Sequence, residues 1–307
     1  MSAGEASDDR VDPLAPIRAR LAVVTEAWAS GEMTLAEIRA SFDAFLKEMG
    51  PRGAEMASAS RRDVRRRDLP AAWVGEGPRR LLYCHGGGYQ IGSIDGHAGL
   101  ACRIAEAAQA AALLFDYRLA PEHRFPAAAD DAVLAYEMMV AEGGAPAAVV
   151  GDSAGGALAL IAAIHARDAG LPTPKAIVLL SPWLDLTMQG ESYVRLAERD
   201  SFSTPAQLQA MARSYLGREG DGRSPQASPL FGDLQRLPPI LVHAGSDDIT
   251  LDDSRLLDQR VQAAGGRITL RIFRGMCHHF QIFEALPEVA RSIADIGAFI
   301  RETSPGV

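Results

Sequence analysis

Apolar and polar residues recur along this chain with two different spacings, and the change from one to the other divides it. Residues 12–29 (DPLAPIRARLAVVTEAWA) and 34–48 (TLAEIRASFDAFLKE) place apolar side chains three and four apart, which predicts two amphipathic helices. Thr34, followed three residues later by Glu37, has the form of a capping box at the start of the second. From about residue 61 the character changes. Short apolar runs at 81–84 (LLYC), 112–115 (ALLF), 147–150 (AAVV), 176–180 (AIVLL), 239–244 (PILVHA) and 268–273 (ITLRIF) predict strands. Ala-rich helical stretches at 97–110, 127–142, 153–168, 252–264 and 286–302 lie between or after most of them. Strand alternating with helix predicts βαβ units and a parallel sheet buried on both faces, with ligands at the carboxyl ends of the strands. The segment 183–235 breaks the rhythm, running about 50 residues with scattered Pro and Gly before the next strand. A compact domain does not leave so much chain structureless, so this reads as an insertion folded over the edge of the sheet. The first ten residues read as disordered, and no internal repeat is present.

Composition narrows the class of protein. Hydrophobic residues at 48% and charged residues at 23% fit a globular chain long enough for a large core. A formal charge of -8 argues against nucleic acid as a partner. The dense basic run RRDVRRRD at 61–68 is interrupted by Asp63 and Asp68 and alternates as a solvated, exposed strand would. Three cysteines, Cys84, Cys102 and Cys277, make no disulfide framework, and the acidic start MSAGEASDDR lacks the apolar region of a signal peptide. No apolar run is long enough for a membrane span. These features predict a cytoplasmic protein. Cys84 stands alone and CHH at 277–279 crowds its side chains in sequence, so neither a metal nor another cofactor is expected.

The chemistry gathers in VVGDSAGGALALIAAI, which starts at Val149. A strand ends at Gly151, Asp152 and Ser153 follow, and Ala154, Gly155 and Gly156 open a helix. G-x-S-x-G between strand and helix is a nucleophile elbow, in which small neighbours let the turn hold the serine hydroxyl above the sheet. Such a serine needs a base and the base an orienting acid, in the chain order Ser, Asp, His. Asp247 and Asp248 stand just past one predicted strand, His278 and His279 just past the next. The remaining histidines weighed are less apt: His243 falls inside an apolar strand, His165 in a helix and His123 in a loop, while His97 precedes the serine. The stretch LLYCHGGGYQIGS at 81–93 supplies what acyl transfer further requires. Bare glycine amides let a substrate carbonyl approach, so Gly87 and Gly88, with Ala154 after the nucleophile, are the expected oxyanion hole. A phosphate loop is excluded, since no G-K-[ST] follows the glycines.

HGGGYQIGS, DYRLAPEHRFPAAADDA, GDSAGG, LLSPWLDLT and the LPP…D…H tail together resemble the microbial hormone-sensitive-lipase-like esterases of the α/β-hydrolase fold. The resemblance implies a mostly parallel eight-stranded sheet with helices on both faces and a helical cap. It divides the chain into N-terminal cap helices (1–50), a first part of the core (51–182), a cap insertion (183–235) and a second part of the core (236–307). It also implies a serine carboxylesterase acting through an acyl-enzyme on short- to medium-chain, mainly apolar esters, with Ser153, Asp248 and His278 as triad. Tyr89, Asp152 and Trp183, within or beside these motifs, are assigned to substrate binding. The insertion carries Phe202, Leu208 and Met211 among other apolar residues, available either for an apolar pocket or for its own packing. Isoleucine follows the acid where the family has proline, and His279 stands where glycine is common, so the doubled Asp and doubled His each leave a choice of one residue. An amidase or peptidase using the same triad and a non-catalytic receptor on the same scaffold are the alternatives. The expected partner is a small ester, with a homodimer allowed.

Overall fold

In the computed structural model, residues 14–66 and 69–305 are described. The segment read as disordered, 1–10, lies outside them. Two helices come first, α1 (Ala15–Ala29) and α2 (Leu35–Met49), and the capping box forms as expected between Thr34 and Glu37. A third, α3 (Pro51–Ser60), follows at once, with Gly50 serving as C-cap of one helix and N-cap of the next. The sequence pattern had not marked α3, whose alternation of Ala, Ser and Met gives a weak apolar face.

The sheet holds eight strands in the order β1-β2-β4-β3-β5-β6-β7-β8. β1 (Arg62–Arg66), β2 (Leu69–Val74) and β4 (Ala110–Phe115) pair antiparallel; β3 (Arg79–Cys84), β5 (Ala148–Asp152), β6 (Ile177–Leu180), β7 (Ile240–Gly245) and β8 (Ile268–Phe273) continue the sheet in parallel from β4. β2 is a strand that the apolar runs did not reveal, because Pro70 and two alanines weaken its signature. Successive residues of a strand point to opposite faces. Leu82, Val149, Leu179 and Val242 accordingly enter one apolar core, while Tyr83, Val150, Val178 and Leu241 enter the other.

α5 (Ala127–Gly143), α6 (Ala154–Asp168) and α9 (Leu251–Ala263) cover the first face; α4 (Ile94–Ala108) and α10 (Pro287–Thr303) cover the second. α3 lies on α4 at close range, since a side chain at Gly53 would run into the Gly99 carbonyl at 2.6 Å. Between β6 and β7, residues 183–235 fold into α7 (Ser192–Arg195), α8 (Pro205–Leu216) and a 3-10 turn at Pro229–Phe231. Among the described residues, no helix is long and apolar enough to cross a membrane.

Candidate active site

Ser153 stands between β5 and α6 with φ 50° and ψ -122°, a conformation that residues with a Cβ seldom adopt. The glycines of the motif make the turn possible. A side chain at Gly151 would collide with the Gly155 carbonyl, and one at Gly155 with the Cys84 carbonyl on the neighbouring strand. The result is a serine at the carboxyl end of the central strand, buried apart from its face toward a cavity.

His278 Nε2 lies 2.8 Å from Ser153 Oγ, and His278 Nδ1 lies 3.0 Å from Asp248 Oδ1. A carboxylate only accepts, so Nδ1 carries the ring proton and Nε2 is free to accept from the serine hydroxyl. The Thr250 N–H and hydroxyl both donate to Asp248 Oδ1, at 2.8 Å each, and so aim the carboxylate. Of each doubled pair, it is Asp248 and His278 that reach one another, and His278 that reaches Ser153. Asp247 turns outward to Arg199 at 2.7 Å. His279, in the left-handed region at φ 52°, points its Nε2 toward Asp152 Oδ2 at 3.2 Å.

The electrostatics suit a base at this place. Burial by itself would lower the His278 pKa. The charge and hydrogen bond of Asp248, with Asp200 and Asp152 behind it, outweigh burial and hold the pKa above the ordinary 6.5. Burial likewise would raise Asp248, but His278 and the donors around it keep that carboxyl below the usual range. His279 is different: burial pulls it down to about 4, so it is neutral near pH 7. Asp200, Asp248 and His278 present oxygen and nitrogen atoms within 4.8 Å of one another. They do not fit a metal, because both ring nitrogens of His278 are already engaged, by Ser153 and by Asp248.

Gly87 and Gly88 have positive φ, at 109° and 59°, and line the same cavity as Ser153. Among the described residues, the N–H groups of Gly87, Gly88 and Ala154 meet no protein acceptor, which leaves three donors beside the nucleophile. The cavity measures about 60 Å³. Its walls come from Trp28 and Phe42 of the N-terminal helices, from Phe202, Leu208 and Met211 of the insertion, and from Ile91 and His279.

Tyr89, Asp152 and Trp183, expected at the substrate, do not reach this wall. The Tyr89 ring stacks on Tyr215 at 3.9 Å, Trp183 is fully buried 6.1 Å from Tyr89, and Asp152 accepts from the Tyr83 hydroxyl at 2.8 Å beneath the serine. Their bulk or charge is spent on holding the glycine loop and the elbow from behind.

Several residues of the site escaped the sequence reading. His85 packs flat on Tyr117, with ring centroids 4.2 Å apart, and sits beside His97 under the glycine loop. Thr250, donating to Asp248, and Asp200, accepting from the His278 N–H, reach the triad through hydrogen bonds that no local motif announces. His243 is the buried core residue expected, hydrogen-bonded to Ser292, while His165 pairs with Glu137 away from the site.

Known proteins resemble this chain in sequence and in fold. A sequence model of the alpha/beta hydrolase fold matches residues 81–282. An acetyl-hydrolase of Streptomyces hygroscopicus is 43% identical over 226 residues, covering 73% of this chain and 75% of that protein. An esterase of Acinetobacter venetianus is 35% identical over 71% of this chain and 73% of its own. Among solved structures, an esterase from the bacterial hormone-sensitive lipase family superposes with TM-score 0.84 at 36% identity, covering 94% of this chain and 98% of that one. With its sheet, its elbow and its relatives in agreement, the chain belongs to the α/β-hydrolase fold and, within it, to the hormone-sensitive-lipase family of esterases.

Proposed function

We propose that this carboxylic ester hydrolase works through an acyl-enzyme on Ser153 and takes esters with short, apolar acyl groups. The observation that carries the reading is the continuous relay Ser153–His278–Asp248, at 2.8 and 3.0 Å. As Ser153 Oγ attacks the ester carbonyl, His278 Nε2 takes its proton, and Asp248 stabilises the imidazolium that forms. The carbonyl oxygen becomes an oxyanion opposite the N–H groups of Gly87, Gly88 and Ala154. Collapse of this intermediate expels the alcohol, which receives the proton from His278. Water then repeats the sequence on the acyl-enzyme, releasing the acid and restoring the serine.

The acyl preference rests on the walls. The cavity is narrow, at about 60 Å³, and its lining is largely aromatic and aliphatic. We read the N-terminal helices and the insertion as one cap, because Trp28, Phe42, Phe202 and Met211 close the same space from both sides. The cytoplasm suits three buried, unbridged cysteines. A p-nitrophenyl series from acetate to palmitate tests the substrate class, with an anilide as control. Turnover should peak at acetate to butyrate; a peak at palmitate, or preference for the anilide, would overturn it.

A further inference from the structure

Asp200 lies on the insertion between α7 and α8, and its carboxylate is buried. Oδ1 accepts from the N–H groups of Phe202 at 2.9 Å, Ser203 at 3.3 Å and His278 at 3.4 Å. Oδ2 accepts from the N–H of Ile249 at 2.9 Å. One side chain therefore binds three segments: the insertion, the loop after β7 that carries Asp248, and the loop after β8 that carries His278. A buried carboxylate is tolerated only when donors surround it, and such charge-assisted bonds are the strong ones. The arrangement has a second effect, since Phe202 is thereby fixed with its ring 6.1 Å from the His278 ring and 6.5 Å from Phe42.

We propose that Asp200 is a positioning residue for ester hydrolysis: it latches the insertion to the acid and base loops, and its charge helps Asp248 to stabilise the His278 imidazolium. The proposal rests on the triad reading given above. A neutral side chain with an acceptor oxygen could hold part of the latch but could not favour the charged ring, so the two parts make different predictions.

Other titratable and charged groups surround Asp200 and His278. Asp248 and Asp247 face this region from the loop after β7, Asp152 from β5, His279 and Cys277 from the loop after β8, and Arg199 answers Asp247 from the insertion. Burial and the Asp248 charge push Asp200 up to about 6, so its ionisation overlaps the acid side of the rate profile. The sign follows. An anion near His278 raises the imidazole pKa, so removing it moves the acid limb to lower pH.

The test compares kcat/KM profiles from pH 5 to 9 for the wild type, Asp200→Asn and Asp200→Glu, using p-nitrophenyl acetate in a pH-stat. Asp200→Asn should lower kcat by about 10- to 100-fold through displaced loops. Its acid-limb midpoint should fall by about one pH unit. Asp200→Glu, which keeps the charge, should return the midpoint toward that of the wild type. An unmoved midpoint in Asp200→Asn overturns the proposal, whether or not the rate falls. Should that variant fail to fold, Asp200→Ser carries the same comparison. Ser153→Ala, measured alongside, separates the two readings. If it keeps turnover the triad reading fails; if it is dead and the Asp200→Asn midpoint stays put, only the proposal for Asp200 fails.

Discussion

The sheet and the cover over it hold the site in different ways. On the sheet side, Ser153, Asp248 and His278 stand past the carboxyl ends of β5, β7 and β8 and are joined by hydrogen bonds of 2.8 and 3.0 Å. On the cover side, the apolar side chains of Trp28, Phe42, Leu208 and Met211 line the cavity. The polar ties of the cover are directed: Arg39 of α2 donates to the Gln90 carbonyl at 2.8 Å and to the Ala120 carbonyl at 3.0 Å, the Tyr193 hydroxyl donates to Asp253 at 2.9 Å, and Asp200 takes the N–H groups described above. Hydrogen-bonded geometry at a reacting centre fails with displacements of an ångström, whereas apolar packing tolerates exchange at similar volume. Chemistry should thus be brittle to changes in the sheet, and selectivity should be adjustable in the cover.

The sharpest test of that contrast is at the nucleophile. Ser153→Ala or His278→Ala should lower kcat by about 10⁶ while leaving the circular dichroism spectrum intact. Labelling by a fluorophosphonate should vanish in Ser153→Ala, and a label on any other serine would break the assignment.

Next in size is the pair of neighbouring aspartates. Asp248→Asn should cost about 10⁴ in kcat by losing the tautomer that leaves Nε2 open. Asp247→Asn should stay close to wild type, because its partner Arg199 is exposed and such surface pairs contribute about 0–1 kcal/mol. A dead Asp247→Asn would show that the acid had been placed one residue off.

In the cover, Met211 lies against Gly88, so close that a side chain at Gly88 would strike its sulfur. Met211→Ala should open the acyl end of the cavity and change the ratio of octanoate to acetate kcat/KM by about 10- to 200-fold. An unchanged ratio, with an unchanged fold, would mean that the cover does not set chain length.

The smallest of these effects is the position of the acid limb. Since the His278 pKa stands above 6.5, kcat/KM should fall tenfold per unit below a midpoint that is itself above 6.5. A midpoint near 5 would mean that burial, which acts in the opposite direction, governs the ring.

The sheet side was also the part most open to reading from the chain. Apolar runs bounded by turns are local signals, and G-D-S-A-G in its strand–helix setting fixed Ser153 without any tertiary information. The spacing of Asp247, Asp248, His278 and His279 could not choose within either pair, because the choice depends on which way two loops turn. The resemblance to known esterases selected the residues that the geometry brings together. Asp200 was invisible for a different reason: in LAERDS it has the look of a solvated charge, and only the fold buries it against Ile249 and His278. Tyr89 and Trp183, assigned to the substrate by resemblance, do not line the cavity beside Ser153, because a motif records which residues are needed, not which side of a wall they stand on. α3 and β2 were missed where alanine dilutes the periodicity.

The backbone of Ser153 carries a burden that thermal denaturation would reveal. A side chain held at φ 50° and ψ -122° stores strain of about 1–3 kcal/mol, and the surrounding glycines only make room for it. Glycine would occupy the same angles at ease, giving back some of the gain through its freer unfolded chain. Ser153→Gly should therefore melt at a higher temperature than Ser153→Ala, although both are equally inactive; a lower melting point would show the turn to be unstrained. Robustness and reactivity compete at a single residue, so a more heat-resistant form of this enzyme has to be sought at positions away from its nucleophile.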